Sequence, residues 1–277
     1  MRTGHGTHGF TLIEILVVVS IIGVLSSVVL AALQSARASG RIGADVEFSS
    51  ANYQALGAQA YGVYHFDGDA KDSSGNNNDL TLHGSAAVIT PGIVGSGALS
   101  IPGTGTDYAV TTSGGFATMG STWTVSGWVN VTTMPGTRIF ISMGSPELGV
   151  IGGGSSTGRF YVFWRDTSLA SQSISDPVVR QVVGAWHLVT VTHNDVTQTT
   201  VLYVDGQPAQ TATGVNSASI ASVGINNLYL GTSATAPIQF SGQIDDVYVY
   251  PSALSAADIY NIYAQGPQRN TAKVRAY

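Results

Sequence analysis

The sequence predicts a mainly β protein: a long apolar N-terminal helix, then an antiparallel β-sandwich of the jelly-roll kind, closed by a short C-terminal helix. Three observations carry this. The stretch "HGFTLIEILVVVSIIGVL" (8–25) is almost unbroken in its apolarity and holds no proline. From about residue 61 apolar residues recur with period two, in short runs separated by Gly, Asn, Ser and Asp. Only "SALSAADIYNIYAQG" (252–266) returns to a helical period late in the chain, with Leu254, Ile259, Ile262 and Tyr263 on its apolar face and Gly266 as its stop.

Composition narrows the class. Charged residues are 10% of the 277, against roughly a quarter in ordinary globular chains. Hydrophobic residues are 44%, enough for a sizeable core. The 34 glycines follow no G-X-Y period and cluster with Ser, Thr and Asn, so they mark turns between strands. The net charge is −5 with eleven Lys plus Arg and no basic stripe, so nucleic acid is not an expected partner. Without cysteine there is no disulfide, thiolate zinc site or cysteine nucleophile.

The N-terminal run from Phe10 to Leu33 carries Glu14 as its sole charge. As a helix at ~1.5 Å per residue it is roughly 36 Å long, against ~30 Å of bilayer hydrocarbon. The next proline is Pro91, so one helix over 10–56 is compatible with the sequence. A secretory signal peptide would have a shorter apolar core, although Ala36-Arg37-Ala38 offers a cleavage-like site. A plain signal anchor is the other alternative, but Arg2 on one side and Arg37 and Arg41 on the other do not orient it. Neither reading accounts for Glu14, since a carboxylate in a bilayer costs on the order of 2.5–3.5 kcal/mol.

Gly9-Phe10-Thr11-Leu12-Ile13-Glu14 resembles the processing site of type IV pilins and pseudopilins. The resemblance implies a leader over 1–9, removed after Gly9 by a prepilin peptidase that also N-methylates Phe10. It implies further that Glu14, fifth in the mature chain, pairs with the new terminal amine of a neighbouring subunit during assembly. Gly23 and Ser27 form a small-xxx-small pair that would let helices approach. Many major pilins carry a proline partway along this run; Ala31 and Ala32 stand in that region here.

Along the second part, "WTVSGWVNV" (123–131) places Trp123, Val125, Gly127, Val129 and Val131 on one face. "FYVFW" (160–164) separates Phe160, Val162 and Trp164 from Tyr161 and Phe163. "WHLVTVTH" (186–193) and "TTVLYVDG" (199–206) read as neighbouring strands, and Val204-Asp205-Gly206-Gln207 as a tight turn. "LYLG" (228–231) and "FSGQIDDVYVY" (240–250) continue the series; residues 132–180 carry no such marker apart from 160–164. In order, "VYHFDGDAKDSSGNNNDLTLHG" (63–84), "GSGAL" (95–99), "WHLVTVTHND" with "LYVDG", "LYLG" and "FSGQIDDVYVYPSALSAADI" are similar to laminin G-like, concanavalin A-like jelly rolls of bacterial surface proteins. The expected organisation is therefore a leader 1–9, helix 10–56, linker 57–60, jelly roll 61–265 and tail 266–277.

Three site expectations follow. Asp72 to Asp79 is dense in oxygen ligands, which suits either Ca²⁺ or an ordinary turn. In "QIDDVYVY" alternation puts Asp245 on the face of Val247 and Val249, where a buried carboxylate needs a cation or several donors. The resemblance implies a structural calcium near both segments, so Asp72, Asn76 and Asp245 are the expected ligands. Tyr161 and Phe163 are either core or stacking residues for a glycan. A hydrolase is not expected, because Glu14, Glu47 and Glu147 are the only glutamates and none forms a catalytic pair. The expected function is a pilin-like subunit, made in the cytoplasmic membrane and assembled with other pilins or pseudopilins. Its head would bind a glycan or surface protein outside the cell; the alternative is an anchored or secreted lectin that never polymerises.

Overall fold

The computed structural model describes residues 12–27, 29–30, 56, 59–112, 115–133, 137–145, 148–154, 158–219, 225–234, 238 and 240–266. The chain divides into two compact units, 1–51 and 52–277. In the first, helix α1 spans 12–27. Its apolar side chains are exposed on every side, including Leu12, Val17, Val19 and Val24. Such a helix has no stable face in water. Ser20 and Ser27 donate to the carbonyls of Leu16 and Val24 at 2.8 and 2.7 Å, so neither hydroxyl needs water. No helix among the described residues is both long and apolar enough to cross a membrane. The leader and most of the expected 10–56 helix beyond residue 27 lie outside the described residues, as does the tail beyond Gly266.

The second unit is the expected sandwich. Its strands are β1 (Gly62–Tyr64), β2 (Leu80–His83), β3 (Ala87–Ile89), β4 (Ala98–Ile101), β5 (Tyr108–Thr111), β6 (Trp123–Val131), β7 (Thr137–Ser145), β8 (Leu148–Gly154), β9 (Arg159–Arg165), β10 (Ser171–Ser175), β11 (Trp186–Asn194), β12 (Thr199–Val204), β13 (Gln207–Thr213), β14 (Ile225–Leu230) and β15 (Gly242–Tyr250), followed by helix α2 (Ala256–Gln265). One sheet runs β13-β12-β11-β6-β15-β4-β3 with β1 also on β15; the other runs β10-β9-β8-β7-β14-β5-β2. All recorded strand pairings are antiparallel. Strands β7, β8 and β10 fall in the stretch without markers.

Alternation places the core. Val125, Val129, Val189, Val191, Ile244, Val247 and Val249 of the first sheet meet Phe140, Ile141, Met143, Phe160, Val162, Trp164, Leu228 and Leu230 of the second. Phe140 lies edge-on to Phe160 and Phe240, at 6.1 and 5.0 Å between ring centroids. His193 is fully buried beside the rings of Trp123 and Trp164, and burial lowers its pKa against the pull of Asp195.

Strand β15 breaks the alternation at a point that matters for the buried acids. Strand β15 has β4 along Gly242–Ile244 and β1 along Val247–Val249 on the same edge. Between them, Asp246 takes φ +45, and the register against β6 shifts between Asp245 and Tyr248. This is a β-bulge: one extra residue reverses the parity on either side of it. Ile244 and Val247 therefore both face the core, while Asp245, opposite Trp128, faces outward. The expectation that Asp245 shares a face with Val247 and Val249 is corrected on this point.

The outward face of the first sheet is covered by α2. Trp128, Leu188, Tyr248 and Tyr250 form a second cluster with Ile262, and Tyr263 packs over Trp128 at 5.7 Å. Ser255 caps the helix: its hydroxyl accepts from the Asp258 N–H while the Asp258 carboxylate accepts from the Ser255 N–H. Gly266 follows the last turn with φ −49, an ordinary right-handed value. Glycine is required there for space, because a Cβ would lie 2.8 Å from the Trp128 ring. An alanine would aid the backbone alone. Gly266→Ala is instead expected to lower stability by ~1–3 kcal/mol through overpacking, read from urea unfolding; a gain would show that the glycine serves only as a helix stop.

Candidate functional site

The outward face of the seven-stranded sheet is the candidate site. On β9, Phe160, Val162 and Trp164 are fully buried, whereas Arg159, Tyr161, Phe163 and Arg165 are half-buried on the other face. Tyr161 pairs with Gly152 on β8. A Cβ at Gly152 would lie 2.4 Å from the tyrosine Cζ, so only glycine leaves room for the ring. Its hydroxyl donates to the carbonyl of Arg138, on β7, at 3.1 Å. The ring thus reaches across β8, with its hydroxyl end over the glycine. Partial burial pushes the phenol up to about 12. On β10, Ser175, Ser173 and Ser171 stand opposite Tyr161, Phe163 and Arg165, and all three serines are exposed.

The same face continues across the sheet. Tyr229 of β14 pairs with Ser142 of β7 and Val110 of β5. Ser142 is buried and its hydroxyl has no hydrogen-bond partner. Tyr108 of β5 stacks on His83 of β2 at 4.4 Å and approaches Tyr229 at 6.5 Å. Asp107, beside Tyr108, accepts from the N–H of Ser85 and of Thr104, which ties the two turns at this end. Those bonds hold its carboxyl below the usual range. Strands lie ~4.8 Å apart, so the aromatic groups of β9 and β14 are separated by roughly 14 Å.

The expected calcium ligands are arranged otherwise. Asp72 Oδ1 accepts from Val63 and Ser74 N–H, and Oδ2 from the Ser74 hydroxyl and Asn78 N–H. Asn76 turns its amide donor to the carbonyls of Ala60 and Tyr61. Asp245 Oδ2 accepts from Ile93 and Val94 N–H, and Oδ1 from Asp246 N–H. Gly92 leaves room for that carboxylate, since a Cβ there would sit 2.7 Å from it. Among the described residues no three Asp, Glu or His side chains gather as a metal site requires. The three residues as arranged do not fit a shared ion, because N–H and O–H donors already surround their oxygens.

Asp246 is also buried: its Oδ1 lies 2.6 Å from His65 Nδ1, and its Oδ2 accepts from the Tyr248 hydroxyl at 3.1 Å. Glu14 lies exposed on α1. Gly9 and Phe10 lie outside the described residues. Sequence reasoning passed over Arg159, Arg165, His83, Tyr108 and Tyr229. The first two were within reach of the same alternation that isolated Tyr161 and Phe163. The others come together only through strand pairing distant in sequence.

Comparison with known proteins agrees with this architecture. A family model described as the concanavalin A-like lectin/glucanases superfamily matches residues 103–260. A model of the prokaryotic N-terminal methylation motif matches residues 5–30. No curated protein matches the chain. Among solved structures, the botulinum neurotoxin serotype D binding domain is similar at 16% identity and a TM-score of 0.58, over 75% of this chain and 52% of that one. The serotype G binding domain follows at 15% and 0.57, over 74% and 50%. The chain thus spans about half the length of the neurotoxin domains it matches. Domain 4 of an extracellular arabinanase from Geobacillus stearothermophilus, solved with arabinotriose, is 16% identical with a TM-score of 0.58, over 74% of this chain and 98% of that one. At these identities the likeness is one of fold.

Two outcomes follow for the buried acids. Burial first, and then the Asp246 charge, push Asp245 from 3.8 up to about 8, against its three N–H donors. A raised folded pKa means that the stability from the protonated carboxyl is complete below about pH 4 and lost as pH rises through about 8. The melting temperature should therefore fall between pH 5 and 8.5, and Asp245→Asn should flatten that slope while lowering stability by ~1–3 kcal/mol. Calcium and EGTA should give the same melting temperature; a clear rise with calcium would mean that the three residues rearrange around an ion.

Proposed function

The chain belongs to the concanavalin A-like lectin/glucanases superfamily, and we propose that it is a type IV pilin-like subunit displaying this sandwich as a non-catalytic binding head. The observation that carries the proposal is the joining of the two parts: a prokaryotic N-terminal methylation motif over 5–30 and the sandwich stand on one chain. The motif supports cleavage after Gly9, N-methylation of Phe10 by the prepilin peptidase, and assembly with other pilin or pseudopilin subunits. The chain first resides in the cytoplasmic membrane and then in a surface filament or secretion pseudopilus. Helix α1, apolar on all sides, suits both lipid and the packed interior of a filament. Glu14 selects the register there, because a carboxylate among apolar helices requires a cationic partner.

The head binds a glycan at the aromatic outward face of its seven-stranded sheet. The fold alone does not assign this role; the support is local. Tyr161 reaches across β8 to Arg138, Phe163, Tyr108 and Tyr229 share its side of the sheet, and the buried Ser142 hydroxyl is unpaired. Adhesion is the work such a head performs on a filament. The acids Asp245 and Asp246 hold backbone and His65 rather than facing this surface together, which supports a binding rather than hydrolytic role.

Cells carrying the assembly machinery test the proposal. Glu14→Ala should still yield processed protein in the membrane but reduce it in the sheared filament fraction at least tenfold, since a register-setting ion pair is lost. Undiminished incorporation would contradict the assembly role. A chain never found in filaments, with or without Glu14, would identify an anchored lectin instead.

A further inference from the structure

The loop that joins β10 to β11 is apolar on its outside and clamped from within. In "DPVVRQVVGAW" (176–186), Val178, Val179, Val182 and Val183 are between 48% and 61% exposed. One exposed valine needs no explanation, but four within six residues do. Polar groups hold the loop from beneath. Buried Asp176 accepts from the Val178 N–H at 2.9 Å and from Arg180 Nε at 2.8 Å. The N–H groups of Arg180 and Gln181 donate to the carbonyl of Gly158, just before β9, and the buried Gln181 side chain donates to that of Arg159. The Gly184 N–H donates to the carbonyl of Val131, the last residue of β6, so the loop is tied to both sheets.

We propose that this loop is a lipid-contacting tip, which rests on a bilayer of uncharged headgroups with its valines at the boundary between headgroups and acyl chains. The proposal rests on the binding-head reading and gives the head a second partner. The backbone favours lipid: the N–H groups of Val178, Arg180, Gln181, Gly184 and Ala185 all bond within the domain, so the loop can leave water without stranding those donors. Charge favours it as well. The loop's one acid and one base, Asp176 and Arg180, pair with each other, so the valines meet the surface with no net charge behind them. The chain as a whole carries −5, which disfavours an anionic surface. Four half-exposed valines offer on the order of a few hundred Å², short of the ~800 Å² per partner of a stable protein interface. Lipid demands no matching shape, so a small patch on a firm support is enough for a shallow, reversible contact. Position agrees with adhesion. Strand β15 runs from Gly242, paired with Val131, to the neighbourhood of Val249, paired with Gly62. The loop, bonded to Val131, therefore lies at the end of the larger sheet remote from the strand end where the chain enters the sandwich. A contact at that end suits a target bilayer brought to the head from outside.

The chain contains no cysteine, so a fluorophore can be placed at a single site. The full chain, held in lipid nanodiscs that already accommodate α1, carries an environment-sensitive label at Val182→Cys or, as a control, at Val196→Cys. Val196 is 92% exposed in the turn after β11, at the opposite end of the sheet, since nearby His193 pairs with Trp123 at the start of β6. Phosphatidylcholine vesicles are then added. The label at position 182 should shift to the blue, brighten at least twofold and be quenched by spin-labelled lipid in the added vesicles, while the label at 196 stays as in water. The response should persist as salt rises, because no ion pair carries it. Combining Val178→Ser, Val179→Ser, Val182→Ser and Val183→Ser in the unlabelled chain should cut vesicle binding at least tenfold, since apolar burial drives the contact, with the melting temperature retained. No response at 182, or an equal response at 196, overturns the proposal. A response without vesicles that grows with protein concentration also overturns it, and assigns the loop to contact between copies of the chain. Response only to vesicles rich in anionic lipid overturns the uncharged surface. None of these failures touches the filament role, which the Glu14 variant tests separately.

Discussion

The carboxyl group of Asp245 sits without solvent contact on an interior strand of the larger sheet, and leaving its oxygens unsatisfied there would cost more than most single contacts return. The chain meets the requirement with three N–H groups, from Ile93, Val94 and Asp246. Much of the local architecture follows. The bulge at Asp246 opens the gap in which β4 gives way to β1, and the loop before β4 fills it. The same device recurs at Asp72, which gathers the turn from Ser74 to Asn78 onto β1, and at Asp107, which joins the turns flanking β2 and β5. With no cysteine, the sandwich fastens its loops through aspartate-to-backbone bonds instead of disulfides.

Those clasps leave the two outer faces with different fates. The face of the larger sheet is closed by α2, where Tyr263 and Gly266 pack on Trp128. The face of the smaller sheet carries half-buried aromatic and cationic side chains. The position of Tyr161 there depends on Gly152, whose missing side chain leaves room for the phenol end of the ring. A surface built this way is rigid before a ligand arrives, which limits the ordering cost of binding. On the filament proposed above, such a face would be presented repeatedly, so that modest affinity per head becomes avidity.

Much of this was legible in the sequence, for a definable reason. Period two marks a strand whose faces differ in environment, and β6, β9, β11, β12 and β15 all have that property, so their inward residues were readable one by one. The bulge was not readable: Asp245-Asp246 fits simple alternation, and only the positive φ of Asp246 shows the slip. Strands β8 and β10 left little trace because glycines fill one and serines line the exposed face of the other. The oxygen-rich run at Asp72 could be read as ligand or as turn; the positions of its N–H donors, a tertiary fact, decide how its oxygens are used. Stacking of His83 on Tyr108 likewise requires knowing that β2 pairs with β5.

The two parts of the chain make different physical demands. A helix that is apolar on every side needs lipid or other helices, and the sandwich needs water around its outward faces. In the function proposed above, processing at the N-terminus reconciles them by moving one chain from membrane to filament. The most direct test is the intact mass and N-terminal residue of the protein after co-expression with a prepilin peptidase. A mature chain that begins with N-methylated Phe10 is the predicted result. A chain that still begins at Met1, or that begins at Ser39 after signal-peptide cleavage, would contradict the account.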